Sequence, residues 1–277
     1  MPDKLLKSYE QPTAHEVASA VIRRRSTNPV DVREHILTGR DLSWVSRVLD
    51  LGCGFGFMAE RLAPLLSEDA VIWGVDLSGA NRDEFLRRVR AQGRSARFIA
   101  MRLHDRLEWE TGAFDLIVSS YSLYFFPGLV PEIARVLGRR GLFLALTHTQ
   151  ESQRDLLHRL QVPEGESPLV GLVGRFSAEN ALALLRPAFK YVERVDYPNA
   201  LTFTVDDIED LVTYLRFKLL LASESASVVT IPSARHLSHL LSVDRPLVIR
   251  KDDAAFWCRG PLHPGDRPPA PPGDGEG

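Results

Sequence analysis

The chain has 277 residues, 44% hydrophobic and 25% charged, a composition typical of globular proteins with enough material for one large or two small domains. A formal net charge of -2 argues against nucleic acid or an anionic membrane as the main partner, since both select a basic face. Cysteine occurs only at Cys53 and Cys258, which excludes metal-ligand spacing and a disulfide framework, and lysine supplies only 5 of the 34 basic residues, a bias we read as genomic. The polar start Met1-Pro2-Asp3-Lys4 and the lack of any apolar run of about 18 residues lead us to expect a cytoplasmic protein with no membrane partner.

Residues 1–40 read as a helical cap. A helix is predicted over 13–25, with Thr13-Ala14-His15-Glu16 as a capping box and Arg23-Arg24-Arg25 where the helix dipole favours cations. Asn28-Pro29 then reads as an N-cap followed by proline at the first position of a second helix ending at Leu37. From there to residue 260 the pattern is one of alternating strand and helix. Strands are predicted over Val45–Leu51, Ala70–Val75, Arg97–Leu103, Phe114–Ser119 and Gly141–Thr147. Between them lie a helix from Phe57 to Ala63 that Pro64 must stop, one capped by Ser78 that carries Phe85, Leu86 and Val89, and one after Pro127 that carries Val130, Ile133, Ala134 and Leu137. Near-continuous apolar strands separated by helices predict an α/β fold, a Rossmann-like parallel sheet with helices on both faces.

The carboxyl half predicts a helix capped by Ser177, a strand over Phe189–Asp196, and a helix opened by the capping box Thr204-Val205-Asp206-Asp207 with Ile208, Leu211, Val212, Leu215 and Leu219 on one stripe. A short helix at Ser233 and a last strand within Pro246–Trp257 follow. His236 and His239 stand one helical turn apart; they read either as metal ligands or, lacking an acidic or cysteine partner nearby, as a polar helix face. Residues 261–277 form a Pro/Gly-rich tail with nothing apolar to bury, expected to be disordered.

The most informative segment is Asp50-Leu51-Gly52-Cys53-Gly54-Phe55-Gly56, a glycine-rich turn at the carboxyl end of the first strand, where α/β proteins build nucleotide sites. Its glycines recur at every second position. The dinucleotide fingerprint instead needs a glycine where Phe57 stands, and the leading carboxylate of Asp50 would repel a diphosphate while attracting an ammonium or sulfonium.

Val48-Leu49-Asp50-Leu51-Gly52-Cys53-Gly54-Phe55-Gly56 resembles motif I of the class I S-adenosylmethionine (SAM)-dependent methyltransferases, and the resemblance extends over 45–149 and more loosely over 177–259. It implies a seven-stranded sheet closed by an antiparallel pair, here 189–196 with 247–258, and a lid formed by the insertion at about 200–245. It implies SAM as cofactor, held by Asp50 at the methionine ammonium, by the backbone of Gly52, Cys53, Gly54 and Gly56, by Asp76 at the ribose hydroxyls, and by Leu77 beside the adenine. Asp76 also reads as a helix cap. Asp105, after the third strand, is either an adenine partner or one half of a surface ion pair, and Ser119 belongs to Phe114-Asp115-Leu116-Ile117-Val118-Ser119-Ser120, which resembles motif IV of small-molecule methyltransferases. The Asn/Asp-Pro-Pro-Tyr/Phe signature of enzymes that methylate planar amino groups is absent from that place.

The aromatic stretch Tyr121 to Phe126 falls where the transferring methyl should lie, as a cation-attracting wall or as a core patch. His148 is the leading candidate for a general base and Tyr121 the second; His148 also reads as an acceptor-binding or a structural histidine. Arg23 to Arg25 either grip an anionic acceptor or end a solvated helix. The function expected is methyl transfer to a small-molecule acceptor through O, N or C; a non-catalytic SAM-binding regulatory subunit and a nicotinamide-dependent oxidoreductase are the alternatives, and the Gly-Gly-Gly-Asp-Gly turn expected of aminopropyl transferases is missing.

Overall fold

The computed structural model describes residues 12–104, 106–159, 168–222, 241, 245–263 and 265–266. Its centre is a seven-stranded sheet in the order β3-β2-β1-β4-β5-β9-β6. Strands β1 (Arg47–Leu51), β2 (Val71–Asp76), β3 (Ser95–Ala100), β4 (Phe114–Ser120) and β5 (Leu137–His148) run parallel, and β9 (Asp253–Pro261) lies antiparallel between β5 and β6 (Phe189–Tyr197). The α/β expectation therefore holds. Val48, Leu49, Leu51, Ile117 and Val118 have no exposed surface, because helices cover both faces, and each face has its own apolar cluster.

Strand order reverses between β1 and β4, so the connections leaving their carboxyl ends diverge and open a crevice there. The glycine turn falls at that point. It feeds α3 (Phe57–Leu62), which follows α1 (Pro12–Arg25) and α2 (Val32–Leu37), and a single turn at Ala63–Leu65 accommodates Pro64. Gly52 has φ +68, and a Cβ there would lie 2.5 Å from the Cβ of Ser122 in the loop after β4. The two loops of the switch point touch only because this position is bare.

Several local expectations shift. Asp31, not Asn28, caps α2: its carboxylate accepts from Arg33 N, while Asn28 Oδ1 accepts from Val30 N in a turn of its own. Strand β3 begins at Ser95 and ends at Ala100, in register with Val71–Asp76, so Met101–Leu103 lie in the loop beyond it. Ser78 makes no side-chain cap; Asp76 accepts from its backbone N, and a turn at Gly79–Asn81 precedes α4 (Arg82–Ala91). The helix after Pro127 begins at Val130 and ends at Val136 (α5), because Leu137 is already in β5 and pairs with Phe114. After α6 (Gln150–Arg159) and α7 (Pro168–Val173), Ser177 does not cap by its side chain; Asn180 Oδ1 accepts from Ser177 N ahead of α8 (Ala181–Leu185).

The largest correction concerns the predicted final strand. The apolar run over 247–258 is two strands, β8 (Leu247–Arg250), which pairs with β7 (Ala200–Phe203), and β9, which pairs with β5 and β6. The polar triplet Lys251-Asp252-Asp253 makes the break, and β9 begins at its last residue.

The amino-terminal helices and the described part of the insertion pack together. The capping box at Thr204 is present and opens a turn followed by α9 (Ile208–Ala222), and Val21 of α1 shares a small core with Leu201, Phe203, Leu211, Tyr214 and Leu215. Exposed Arg24 and half-buried Arg25 turn to Asp210 rather than to the cleft, and Arg25 also pairs with Asp207. Arg23 stays exposed and lines the cleft. No described helix is long and apolar enough to cross a membrane. His236, His239, the predicted helix at Ser233, Asp105 and residues 267–277 lie outside the described residues.

Candidate active site

A cleft of about 730 Å³ opens at the switch point, floored by the glycine turn and roofed by α1, α2 and α9. His15 of α1 packs edge-on against Phe55 of the turn and Phe217 of α9, which draws the cap over the loop. Phe57, where a dinucleotide site would need glycine, is a platform for two guanidiniums: Arg88 at 4.4 Å and Arg33 at 5.5 Å from its centroid. Arg88 also binds Glu16 and Glu60, which ties α1 to α3 and α4.

Asp50, next to last in β1, has 1% of its surface exposed, and neither carboxylate oxygen has a hydrogen-bond partner among the described residues. Burial, with the charge of Asp76 added, pushes its carboxyl up to about 8. An unpartnered buried carboxylate facing a cleft is costly unless a cationic donor arrives. Beside it Gly54, with φ +50, has open space where a Cβ would stand, so a ligand can approach the backbone. Asp76 ends the neighbouring strand; one oxygen accepts from Gly54 N at 2.9 Å, and the other from Ser78 N at 2.9 Å and Asn81 Nδ2 at 3.1 Å. It anchors the turn while facing the cleft, and burial raises its carboxyl despite those bonds. Cys53 and Leu77 also line the cleft.

Ser119 is placed differently from the other candidates. It is fully buried and bonds Ser122 Oγ at 2.7 Å; Ser122 in turn donates to the Leu51 carbonyl at 2.6 Å. The pair fastens the β4 loop beneath the glycine turn, and Ser120, Tyr121 and Ser122 form the wall in its place.

Across the cleft, the carboxyl ends of β4 and β5 meet the start of β9, and their polar side chains converge. Asp253, 1% exposed, accepts from His148 Nδ1 at 2.6 Å on one oxygen, and from Tyr121 Oη at 2.9 Å and Lys251 Nζ at 2.5 Å on the other. Burial opposes its ionisation, but Lys251 and His148 hold it well below the usual carboxylate range. The Tyr121 and His148 rings stack at 4.5 Å. Tyr121 is the one non-glycine residue with positive φ, +54, among the described residues, a strained backbone of the kind that gathers at functional sites and costs on the order of 1–3 kcal/mol.

His148, which lines the cleft, has Nδ1 committed to Asp253, which fixes the Nδ1–H tautomer and leaves Nε2 a lone pair with no hydrogen-bond partner among the described residues. Burial, then the charge of Lys218, pushes its pKa down to about 4, so the ring is neutral at physiological pH. Lys218 of α9 is 5% exposed and lines the same cleft; burial and the charge of Lys251 lower it to about 7. Asp253, Lys251 and Lys218 escaped the sequence reading, yet each left a signal: charged residues interrupt the last apolar run, and a lone cation sits in Phe217-Lys218-Leu219-Leu220-Leu221.

Residues 48–141 match the family model described as a methyltransferase domain. The chain is 31% identical over 113 residues to malonyl-[acyl-carrier protein] O-methyltransferase of Legionella pneumophila, covering 40% of this chain and 39% of that protein. Among solved structures it is similar to N-methyltransferase NodS of Bradyrhizobium japonicum, in complex with S-adenosyl-L-homocysteine (16% identity, TM-score 0.47, 94% of this chain and 98% of that one). It is also similar to a phosphoethanolamine N-methyltransferase of Haemonchus contortus (16% identity, TM-score 0.45, 88% and 52%). The segment that matches the methyltransferase-domain model is the one that carries the glycine turn, both acidic residues at the strand ends and the switch point, and the chain spans about two fifths of the length of the curated relative that it matches.

Proposed function

We propose that the protein transfers the methyl group of SAM to a small-molecule acceptor. The observation that carries this reading is the orphaned carboxylate of Asp50 beside the open backbone of Gly54, opposite a histidine with a bare Nε2. The donor set fits the cofactor: Asp50 suits its ammonium, the bare turn at Gly52 to Gly54 its methionine tail, Asp76 its ribose hydroxyls, and Leu77 the edge of its adenine. When bound, SAM supplies a methyl group on a cationic sulfur, open to in-line displacement.

The chain's own residues then have three tasks. The roof of α1, α2 and α9 excludes water, which strengthens every charge interaction inside. The aromatic wall at Tyr121, Tyr124, Phe125 and Phe126 favours cationic character in front of it. His148 accepts at Nε2 the proton that an O–H or N–H acceptor must lose, and Asp253, bonded to Nδ1, steadies the imidazolium that results. Much of the acceleration would come from holding the reactants in line, worth roughly 7–11 kcal/mol in good cases.

The test has two arms. In titration calorimetry the protein should bind SAM and not NADH; tight NADH binding without SAM binding would sink the reading. Incubation with methyl-labelled SAM and a metabolite extract should yield a labelled small molecule, and SAM binding with no labelled product from any extract would favour the regulatory alternative.

A further inference from the structure

Among the described residues, the Lys218 ammonium makes no hydrogen bond or ion pair, although the side chain is 5% exposed and faces the cleft. A buried cation normally recruits a carboxylate, because the uncompensated charge is expensive. The nearby carboxylates are already committed. Asp253, whose charge reaches Lys218, serves His148, Tyr121 and Lys251, and Asp31, which also lines that side of the cleft, is held bidentately by Arg33. Lys251 and Asp253 cancel, as do Arg33 and Asp31, so among the described residues Lys218 is left on the acceptor side of the cleft as a buried amine whose protonated form a bound anion would favour, with exposed Arg23 and Arg175 also lining the cleft.

Such a wall selects an anion from solution. One buried ammonium matches a monoanion, whereas a phosphate dianion would call for additional buried donors. The surrounding aromatic rings of Tyr121, Phe125, Phe126 and Phe217 suit an organic body, planar or apolar, attached to that anion. Resting on the methyl-transfer reading above, we propose that the acceptor carries a carboxylate that seats on Lys218 and presents its nucleophilic O–H or N–H to His148 Nε2. In the transfer the acceptor's proton goes to Nε2, the new bond to the methyl carbon forms, and the sulfur–methyl bond breaks with its electron pair staying on sulfur. The seat also serves the chemistry: the Lys218 charge weakens His148 as a base, and a carboxylate on Lys218 offsets that charge.

Binding of simple probes tests this apart from turnover. The full chain, saturated with S-adenosylhomocysteine, is titrated with benzoate and with benzamide, its neutral near-isostere, by calorimetry or ligand-observed NMR. Benzoate should bind at least tenfold more tightly. Lys218→Met should abolish the preference while leaving affinity for S-adenosylhomocysteine unchanged, which certifies the fold, and Lys218→Arg should keep the preference. Equal binding of the two probes, binding of neither, or a preference that survives Lys218→Met overturns the proposal. A Lys218-dependent preference for benzoate in a protein that methylates nothing would sink the enzymatic reading and leave the carboxylate seat standing.

Discussion

Replacing Asp50 by asparagine keeps the shape of the buried group and removes its ability to ionise. In the folded protein the carboxyl titrates near 8 because burial strips it of water and no donor replaces that water. In the unfolded chain it titrates near the ordinary value, about 3.9. Between those values the folded state binds one proton more than the unfolded state, so the stability of the wild type falls as pH rises, by about 1.4 kcal/mol per pH unit. The loss begins above the unfolded value and is complete above about 8. Asparagine has no such slope. Relative to Asp50→Asn, the wild type without cofactor should therefore lose roughly 3 kcal/mol between pH 5 and pH 7, or roughly 5 to 10 °C in Tm for a chain of this size. Comparing the two proteins at each pH cancels, to first order, the titration of Asp76 and of every other group they share. The assay is urea denaturation at half-unit steps from pH 5 to pH 8.5. Saturating SAM should flatten the wild-type slope by pairing the carboxylate with an ammonium, and its affinity at pH 8 should fall by roughly 10- to 100-fold in the variant, the ~1.5–3 kcal/mol of a charged hydrogen bond. A stability gap constant within about 0.5 kcal/mol from pH 5 to pH 7 would mean that Asp50 titrates ordinarily, and the argument for a dry ammonium seat would fall.

Asp76→Ala should weaken SAM binding tenfold or more, since it removes a ribose partner and releases Gly54 N, Ser78 N and Asn81 together; calorimetry showing unchanged affinity with an intact fold would refute the assignment. The His148 imidazole should appear by nitrogen-detected NMR as the neutral Nδ1–H tautomer and stay neutral on acidification until about pH 4; titration between 6 and 7 would show that the ring is not buried beside Lys218 as described. Once an acceptor is identified, His148→Gln should lower kcat by roughly 10²–10⁴ with the SAM Kd unchanged; a kcat within fivefold of wild type would assign the proton transfer elsewhere.

The order of residues was enough to predict the sheet and to put the residues we propose for the donor half of the site at the ends of its strands. Apolar runs such as Val48–Leu51 and Phe114–Val118 are buried on both faces whatever surrounds them, so they announce a parallel sheet. Asp50, the glycines from 52 to 56, Asp76 and Leu77 are legible because they stand in the last residues of a strand or in the short turn that leaves it, where local chain geometry alone fixes their direction. Where the determinants were side-chain contacts rather than periodicity, the reading slipped: Asp31 instead of Asn28 at a helix cap, and Ser119 under the turn rather than on the wall.

Packing alone assembled the cluster we propose for the acceptor half. Tyr121, His148, Lys218, Lys251 and Asp253 come from the loop after β4, the end of β5, α9, the β8–β9 connection and the start of β9, Tyr121 and Asp253 stand 132 positions apart, and no local pattern reports that separation. Hydrophobic periodicity even concealed it, since the run from Leu247 to Cys258 reads as one strand until β8 leaves to pair with β7 and Lys251 and Asp253 turn into the cleft. A carboxylate becomes an orienting partner, and a lysine a buried cation, through burial and convergence, which are properties of the packed chain and not of its order.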